Sequence, residues 1–402
     1  MPMSESFVAK KNLLFITPRL PDSADSGGTQ VTLERLEILS RHFDVTVLTL
    51  ECTPDAERRL RSRFPLGRLY RAGKLRKRSA AAWFASIARG VPLSVWRNRP
   101  RSFIALAESL AHQRFDMTYV DHWLMWPAAA RLKYPGTRIL HLHNAEHLLF
   151  ARAAETAPPL VKQVLRLEAR RVRRYLRGIC AAVDEVHFLS PADAMEMSRS
   201  GITARQSLVF PPSVKLQSGN FGRYDGDVLF IGTMSWPPNA EGIRWYLEEV
   251  VHRLPPTCCT HIVGGYLDAN PCRGSSGTVR WHGRVANLES YYEEASVFIA
   301  PILSGSGIKM KVLNALSYGL PVVTTKVGVE GFPPGWEPAI TVADTAEDFA
   351  RAIERLRSSR QTWERAAAAT KRYLTKNFSN SAFVEWSYYN AQAGIGPSVS
   401  RA

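Results

Sequence analysis

The chain alternates between short apolar runs and longer stretches of helical period, and it does so in two separate series. The first opens with LLFIT at Leu13–Thr17, passes through a helix pattern over Gln30–Arg41 and returns to an apolar run, DVTVLTL, at Asp44–Leu50. That succession is a βαβ unit, since parallel strands need a crossover long enough to hold a helix. Further strands are expected at Asp116–Val120, Arg138–His143, Glu185–Leu189 and Ser207–Phe210, each separated by enough chain for such a crossover. A parallel, doubly wound sheet follows. A long amphipathic segment, about Pro158–Val183, precedes the strand at Glu185, its proline pair standing where proline fits a first helical turn, and Ser190-Pro191 repeats that signature.

Pro211-Pro212 and the polar stretch Ser213–Asp227 end this series as a linker. The second begins with VLFIG at Val228, has a helix pattern over Glu241–Leu254, and places strands at Thr260–Gly264, Thr278–His282, Val297–Pro301, Pro321–Thr325 and Ala339–Val342. The expected fold is therefore α/β, with two doubly wound, parallel-sheet, Rossmann-like domains at 1–215 and 226–378. A length of 402 residues with 45% hydrophobic content suits two cores. Residues 346–393 read as successive helices, and the last, at 379–394, is expected to pack back on the first domain and bury its aromatic residues Phe383, Trp386, Tyr388 and Tyr389.

Two strand ends carry the chemistry. In the segment from Ala300 to Leu316 a strand ends at Pro301, Gly305 and Gly307 allow close backbone approach, and a helix is expected near Ile308. Its free N–H groups and positive dipole end face the turn, and Lys309 adds a formal charge, which makes a cradle for a diphosphate. At the other edge, RILHLH ends in His143-Asn144-Ala145-Glu146-His147, so polar residues stand at a carboxyl strand end where ligands bind in open α/β sheets. Asp121 and His122 form a second such edge, while His141 falls deeper in its strand and reads as buried.

The net charge of +16 favours an anionic partner. It is concentrated in Arg58–Arg78 and Arg166–Arg177, both interleaved with apolar residues in the manner of segments that lie on an anionic membrane surface; a solvated helix face is equally open for the second. No nucleic-acid-binding module is recognisable. No apolar run approaches the roughly 18 residues that span a bilayer, and MPMSESFVAKK lacks the apolar stretch of a secretory signal. A cytoplasmic protein is expected, with a peripheral place on the inner membrane face open to it. Cys52, Cys180, Cys258, Cys259 and Cys272 are too scattered for a disulfide framework and read as reduced structural thiols.

The segment Val228–Phe332 resembles the donor-binding half of the family 4 glycosyltransferases, retaining enzymes of the GT-B fold. The resemblance rests on VLFIGTMSWPPNAEGIRWYLEEV, HGRVANLESYYEEASVFIAP and GSGIKMKVLNALSYGLPVVTTKVGVEGF, and more loosely on TPRLPDSADSGGTQVTLERLEILSRHFDVTVLTL and LHLHNAEH. It implies two domains facing across a cleft, with Gly305, Ser306, Gly307, Ile308 and Lys309 gripping the diphosphate of a UDP- or GDP-sugar. Gly28 would lie across that cleft, and base recognition would run through backbone around Gly283-Arg284-Val285. The family pairs two glutamates eight positions apart; here Ser306 and Asn314 stand there, and the Asn314 amide holds a ribose diol less strongly than a carboxylate. The family's Arg and Lys after the first donor-domain strand are missing from Gly232-Thr233-Met234-Ser235-Trp236, which leaves Lys309 and Lys311 to carry the phosphate charge. Lys311 equally fits an exposed helix face, and Trp236 either walls the sugar pocket or caps the core. His143 matches a family histidine near the reacting sugar, and Asp121, His122 and Glu146 are acceptor-side candidates.

The implied activity is transfer from a nucleotide sugar, as substrate rather than cofactor, to a glycan or polyprenyl-linked acceptor in surface polysaccharide synthesis. No metal is expected to be required, because no DxD pair follows a strand and the lysines and helix dipole can neutralise the diphosphate. The alternative, motivated by Asn314, is a GT-B scaffold or binding subunit impaired in catalysis.

Overall fold

The computed structural model describes residues 10–20, 27–73, 75–77, 79–155, 157–218, 222–265 and 278–392. They form two compact units, one holding 10–154, 158–212 and the stretch from Asn380, the other Glu155, Ala157 and Ser213–Ser379.

The first unit is built on seven parallel strands: β1 (Asn12–Arg19), β2 (Asp44–Glu51), β3 (Leu66–Arg71), β4 (Met117–Asp121), β5 (Thr137–Leu142), β6 (Glu185–Phe188) and β7 (Gln206–Val209). Their order is β3-β2-β1-β4-β5-β6-β7, so the winding reverses between β1 and β4. Leu13, Leu14, Phe15 and Ile16 of β1 are fully buried, alternately feeding the cores on the two sheet faces. The covering helices are α1 (Gly27–His42), α2 (Pro54–Arg63), α3 (Ala80–Ala88), α4 (Leu93–Arg97), α5 (Arg101–Ser109), α6 (Trp126–Ala129), α7 (Glu146–Glu155), α8 (Pro159–Ala181) and α9 (Pro191–Arg199). Local chemistry sets several of their starts: Thr53, Ser79 and Ser190 accept a backbone N–H at the N-cap, and Pro54 and Pro191 occupy the first turn.

The second unit has six parallel strands, β8 (Asp227–Ile231), β9 (Thr260–Val263), β10 (Val279–Gly283), β11 (Ala295–Ala300), β12 (Val322–Thr324) and β13 (Ile340–Val342), in the order β10-β9-β8-β11-β12-β13. Here the reversal falls between β8 and β11. Its helices are α10 (Pro237–Trp245), α11 (Glu289–Glu294), α12 (Met310–Ser317), α13 (Ala346–Ser358) and α14 (Arg360–Asn377). The last helix, α15 (Ser381–Gln392), belongs to the first unit. Phe383 and Trp386 pack there with Phe210, the buried Arg35 guanidinium stands 4.2 Å from the Phe383 ring, and Trp386 donates to Glu185 at 3.2 Å.

Four expectations are corrected. Arg58–Arg78 is not one surface-lying segment: it contains α2, where Arg58 and Arg61 pair with Asp55 and Glu57, and the edge strand β3. Tyr388 and Tyr389 are exposed, because α15 turns only the Phe383, Trp386 and Ser387 side inward. The helix expected at Glu241 begins at Pro237, and the one expected near Ile308 begins at Met310. Cys272 lies outside the described residues; Cys52, Cys180, Cys258 and Cys259 form no disulfide among the described residues.

Candidate active site

Ligands in doubly wound sheets bind at the carboxyl ends of the strands beside the reversal. In the second unit those ends are Gly232, after β8, and the turn from Pro301 to Lys309, after β11. Gly305 and Gly307 hold φ of 118° and 74°, a region where a side chain is strained. The turn is tied down from several sides: Ser304 Oγ donates to Glu241 at 2.7 Å, Thr325 Oγ1 donates to the Ile302 carbonyl, and Lys309 Nζ donates to the Gly307 carbonyl at 2.6 Å. A Cβ on Gly242 would collide with the Pro301 carbonyl, so α10 seats directly on the turn. Lys309 is the N-cap of α12, which keeps its ammonium at the loop.

Lys311 does not project from an exposed helix face. Its ammonium donates to Asn239 Oδ1, lies 4.8 Å from the Phe230 ring centre, and a Cβ on Gly232 would come within 3.1 Å of it. The missing side chain at Gly232 is thus the room that the lysine fills. Burial and then the Lys309 charge push the Lys311 ammonium down to about 7. Asn239 also donates to the Thr233 carbonyl at 2.8 Å, joining the lysine to the β8 turn. Trp236 is 50% exposed, so it does not cap the core. Ser306, Ile308 and Asn314 are half-buried along the same turn and helix.

In the first unit, Asp121 at the end of β4 is fully buried. Its Oδ1 accepts from His141 Nδ1 and His143 Nε2, each at 2.9 Å, and its Oδ2 from the hydroxyls of Thr17 at 2.9 Å and Thr32 at 2.7 Å. Burial pushes this carboxyl up, but the His143 charge and the hydrogen bonds of both histidines outweigh it and hold it well below the usual range. Burial drives His141 down to about 3, so it is a neutral donor, and its Nε2 has no hydrogen-bond partner among the described residues. With Nε2–H of His143 committed to Asp121, Nδ1 turns toward Gly28, where a Cβ would lie 3.5 Å away. His122 has φ of 87°, a strained value for a residue with a side chain, and burial holds it near 3. It lies 3.5 Å from Glu146, whose carboxyl burial raises to about 7.

Among the described residues, two groups each bring three metal-type ligand atoms within 4.8 Å of one another, Asp121/His141/His143 and Asp227/Cys259/His261. The first is a saturated hydrogen-bond cluster, since both Asp121 oxygens already accept two protein donors. Among the described residues no helix is long and apolar enough to cross a membrane.

Residues 225–359 match the family described as group 1 glycosyl transferases. The chain is also 23% identical over 358 residues to an uncharacterised 44.6 kDa protein in the cps region of Klebsiella pneumoniae, covering 85% of this chain and 89% of that protein. Residues 225–359, about a third of the chain, are thus a group 1 glycosyl transferase segment. Solved structures share its architecture: sucrose-phosphate synthase from Thermosynechococcus elongatus (17% identity, TM-score 0.66, 94% of this chain and 97% of that one), and a TarM variant of S. aureus in complex with fondaparinux, α-GlcNAc-glycerol and UDP (10%, 0.71, 95% and 100%). The chain therefore has the GT-B fold. Three residues of its two strand edges escape sequence reading: Thr17 and Thr32, which read as ordinary β-formers or helix residues, and Asn239, hidden in a proline turn. A signal for Asn239 did exist, because the absence of an Arg and Lys near Gly232 calls for a different polar partner there.

Proposed function

We propose that this glycosyltransferase moves a sugar from a nucleotide diphosphate donor to a glycan or polyprenyl-linked acceptor, with retention of anomeric configuration, in the synthesis of a bacterial surface polysaccharide. The observation that carries the reading is the Lys311 ammonium, held by Asn239 in the space left by Gly232, at the strand edge that also bears the Gly305–Lys309 turn. In this reading the turn's backbone N–H groups and the two lysines take the charge that develops on the leaving diphosphate, without a metal ion. The ribose meets Asn314. His143, aligned by Asp121, orients the reacting sugar or acceptor hydroxyl, and His122 and Glu146 serve the acceptor. The UDP bound by the TarM variant supports a UDP-sugar, and the cps-region relative supports the polysaccharide setting.

Radiolabelled transfer from a panel of UDP- and GDP-sugars, with and without chelator, tests this. A matched nucleotide at a hundredfold excess over Kd should stabilise the protein by about 2.7 kcal/mol, raising the melting temperature of its domain by roughly 5–10 °C. Inverted product would overturn the retaining mechanism, and no shift with any nucleotide would overturn the donor site. Binding without turnover, with activity gained by Asn314→Glu, would favour the scaffold alternative.

A further inference from the structure

Helix α8 carries seven basic residues from Lys162 to Arg177 and one acid, Glu168, which is spent on Arg171 at 2.7 Å and the Leu93 N–H at 2.6 Å. Leu160, Val164, Leu167 and Arg171 follow one another at three- and four-residue spacing and so share one stripe of the helix. The C-terminal end of that stripe is covered: Arg171 donates to Ser86 Oγ of α3 at 3.1 Å and to the Val91 carbonyl. The N-terminal end is bare, with Leu160 86% exposed and Val164 and Leu167 also exposed. On α3, beside this contact, Phe84 is 65% exposed and Ile87 is exposed too.

Next to these apolar side chains stands a crowd of guanidinium groups. Arg76 and Arg89 lie 4.2 and 4.4 Å from the centre of the Trp96 ring. Burial, then repulsion from Arg101, Arg89 and Arg99, pushes Arg76 below its ordinary range. Like charges gathered this closely favour an anion that can neutralise several of them at once.

We infer that the face formed by α3, the α3–α4 turn and the first turns of α8 docks on an anionic lipid bilayer, its exposed aliphatic and Phe84 side chains entering the acyl boundary and its arginines meeting headgroup phosphates. Nucleic acid fits this face less well, because single strands reward aromatic stacking platforms whereas Leu160, Val164, Leu167 and Ile87 would stay wet. The inference does not rest on the donor site.

Co-sedimentation of the full chain with phosphatidylcholine vesicles, and with vesicles holding phosphatidylglycerol as well, reads it out. Binding should need the anionic lipid and weaken with salt. Each basic residue near the surface is worth about fivefold, so reversing two in Arg89→Glu/Arg101→Glu should weaken binding at least twentyfold. Phe84→Ser/Leu160→Ser/Val164→Ser changes only surface residues, so its melting temperature and nucleotide-induced shift should match the parent while vesicle binding falls about tenfold. Equal binding to neutral vesicles, unchanged binding of both variants, or salt-dependent retention on DNA without vesicle binding overturns the inference. An intact nucleotide shift in the same preparations separates that failure from any failure of the donor site.

Discussion

The strand ends beside the reversal of the first sheet and those beside the reversal of the second are electrostatic opposites. In the first, two imidazoles and two hydroxyls close on the buried Asp121 carboxylate, so its charge is met inside the protein. In the second, Lys311 meets an amide oxygen and a ring face, and no carboxylate pairs with it among the described residues. A buried charge that is fully compensated contributes to structure, whereas a partly desolvated cation without a counter-charge favours an incoming anion. The comparison divides the two edges: the first holds a histidine in place on a compensated charge, and the second carries the uncompensated charge that, in the proposed function, would meet phosphate.

The largest expected effect breaks the first edge. Asp121→Asn removes the charge that four donors share, and breaking such a buried network costs about 3–5 kcal/mol. Chemical denaturation followed by a first-domain signal should show this loss, with the second domain's nucleotide-induced shift retained. The pH dependence has a defined sign. Because the folded carboxyl lies below its ordinary value of about 3.9, its contribution is present above that pH and is lost as pH falls through the folded value. The variant should therefore unfold with a shallower dependence on acid. An Asp121→Asn protein as stable as the parent would show that the cluster is not structural.

These contrasts were only partly legible in the sequence. The strands of both sheets announce themselves because central parallel strands carry unbroken apolar runs such as LLFI and VFIA. β3 does not, since LGRLYR lies at the sheet edge and carries its arginines among apolar residues, which reads equally well as charged surface. His143 stands out by its place at a strand end, but its alignment depends on Asp121, which the β1–β4 adjacency sets beside Thr17 and which Thr32 reaches from α1. Likewise Lys311 looks like an ordinary helix lysine until Gly232, distant in sequence, is seen to make room for it.

A smaller effect tests the second edge. Lys311→Met should leave the fold as stable as before or slightly more so, because it removes a partly desolvated charge rather than a compensated one. Donor affinity should fall about 10- to 100-fold, as expected for loss of a charge-assisted contact of about 1.5–3 kcal/mol. Calorimetric titration with UDP or GDP, beside a melting curve, separates the two. Loss of fold together with affinity would make Lys311 structural and erase the contrast with Asp121.

The smallest effect sharpens the contrast through pH. A Lys311 ammonium held near 7 in the free protein is fully charged only below that value, and bound diphosphate favours the charged form. Affinity for a nucleotide sugar, whose diphosphate stays ionised across this range, should be greatest below pH 7 and fall by up to about tenfold per pH unit above it, until the bound-state value is passed. His122 and His141, held near 3, stay neutral throughout and cannot produce this slope, but Glu146, raised to about 7, ionises in the same window in the first unit. The parent and Lys311→Met profiles therefore decide between the edges. A profile flattened by the substitution assigns the titration to the phosphate edge, and a slope that survives it assigns the titration to Glu146 and its neighbours.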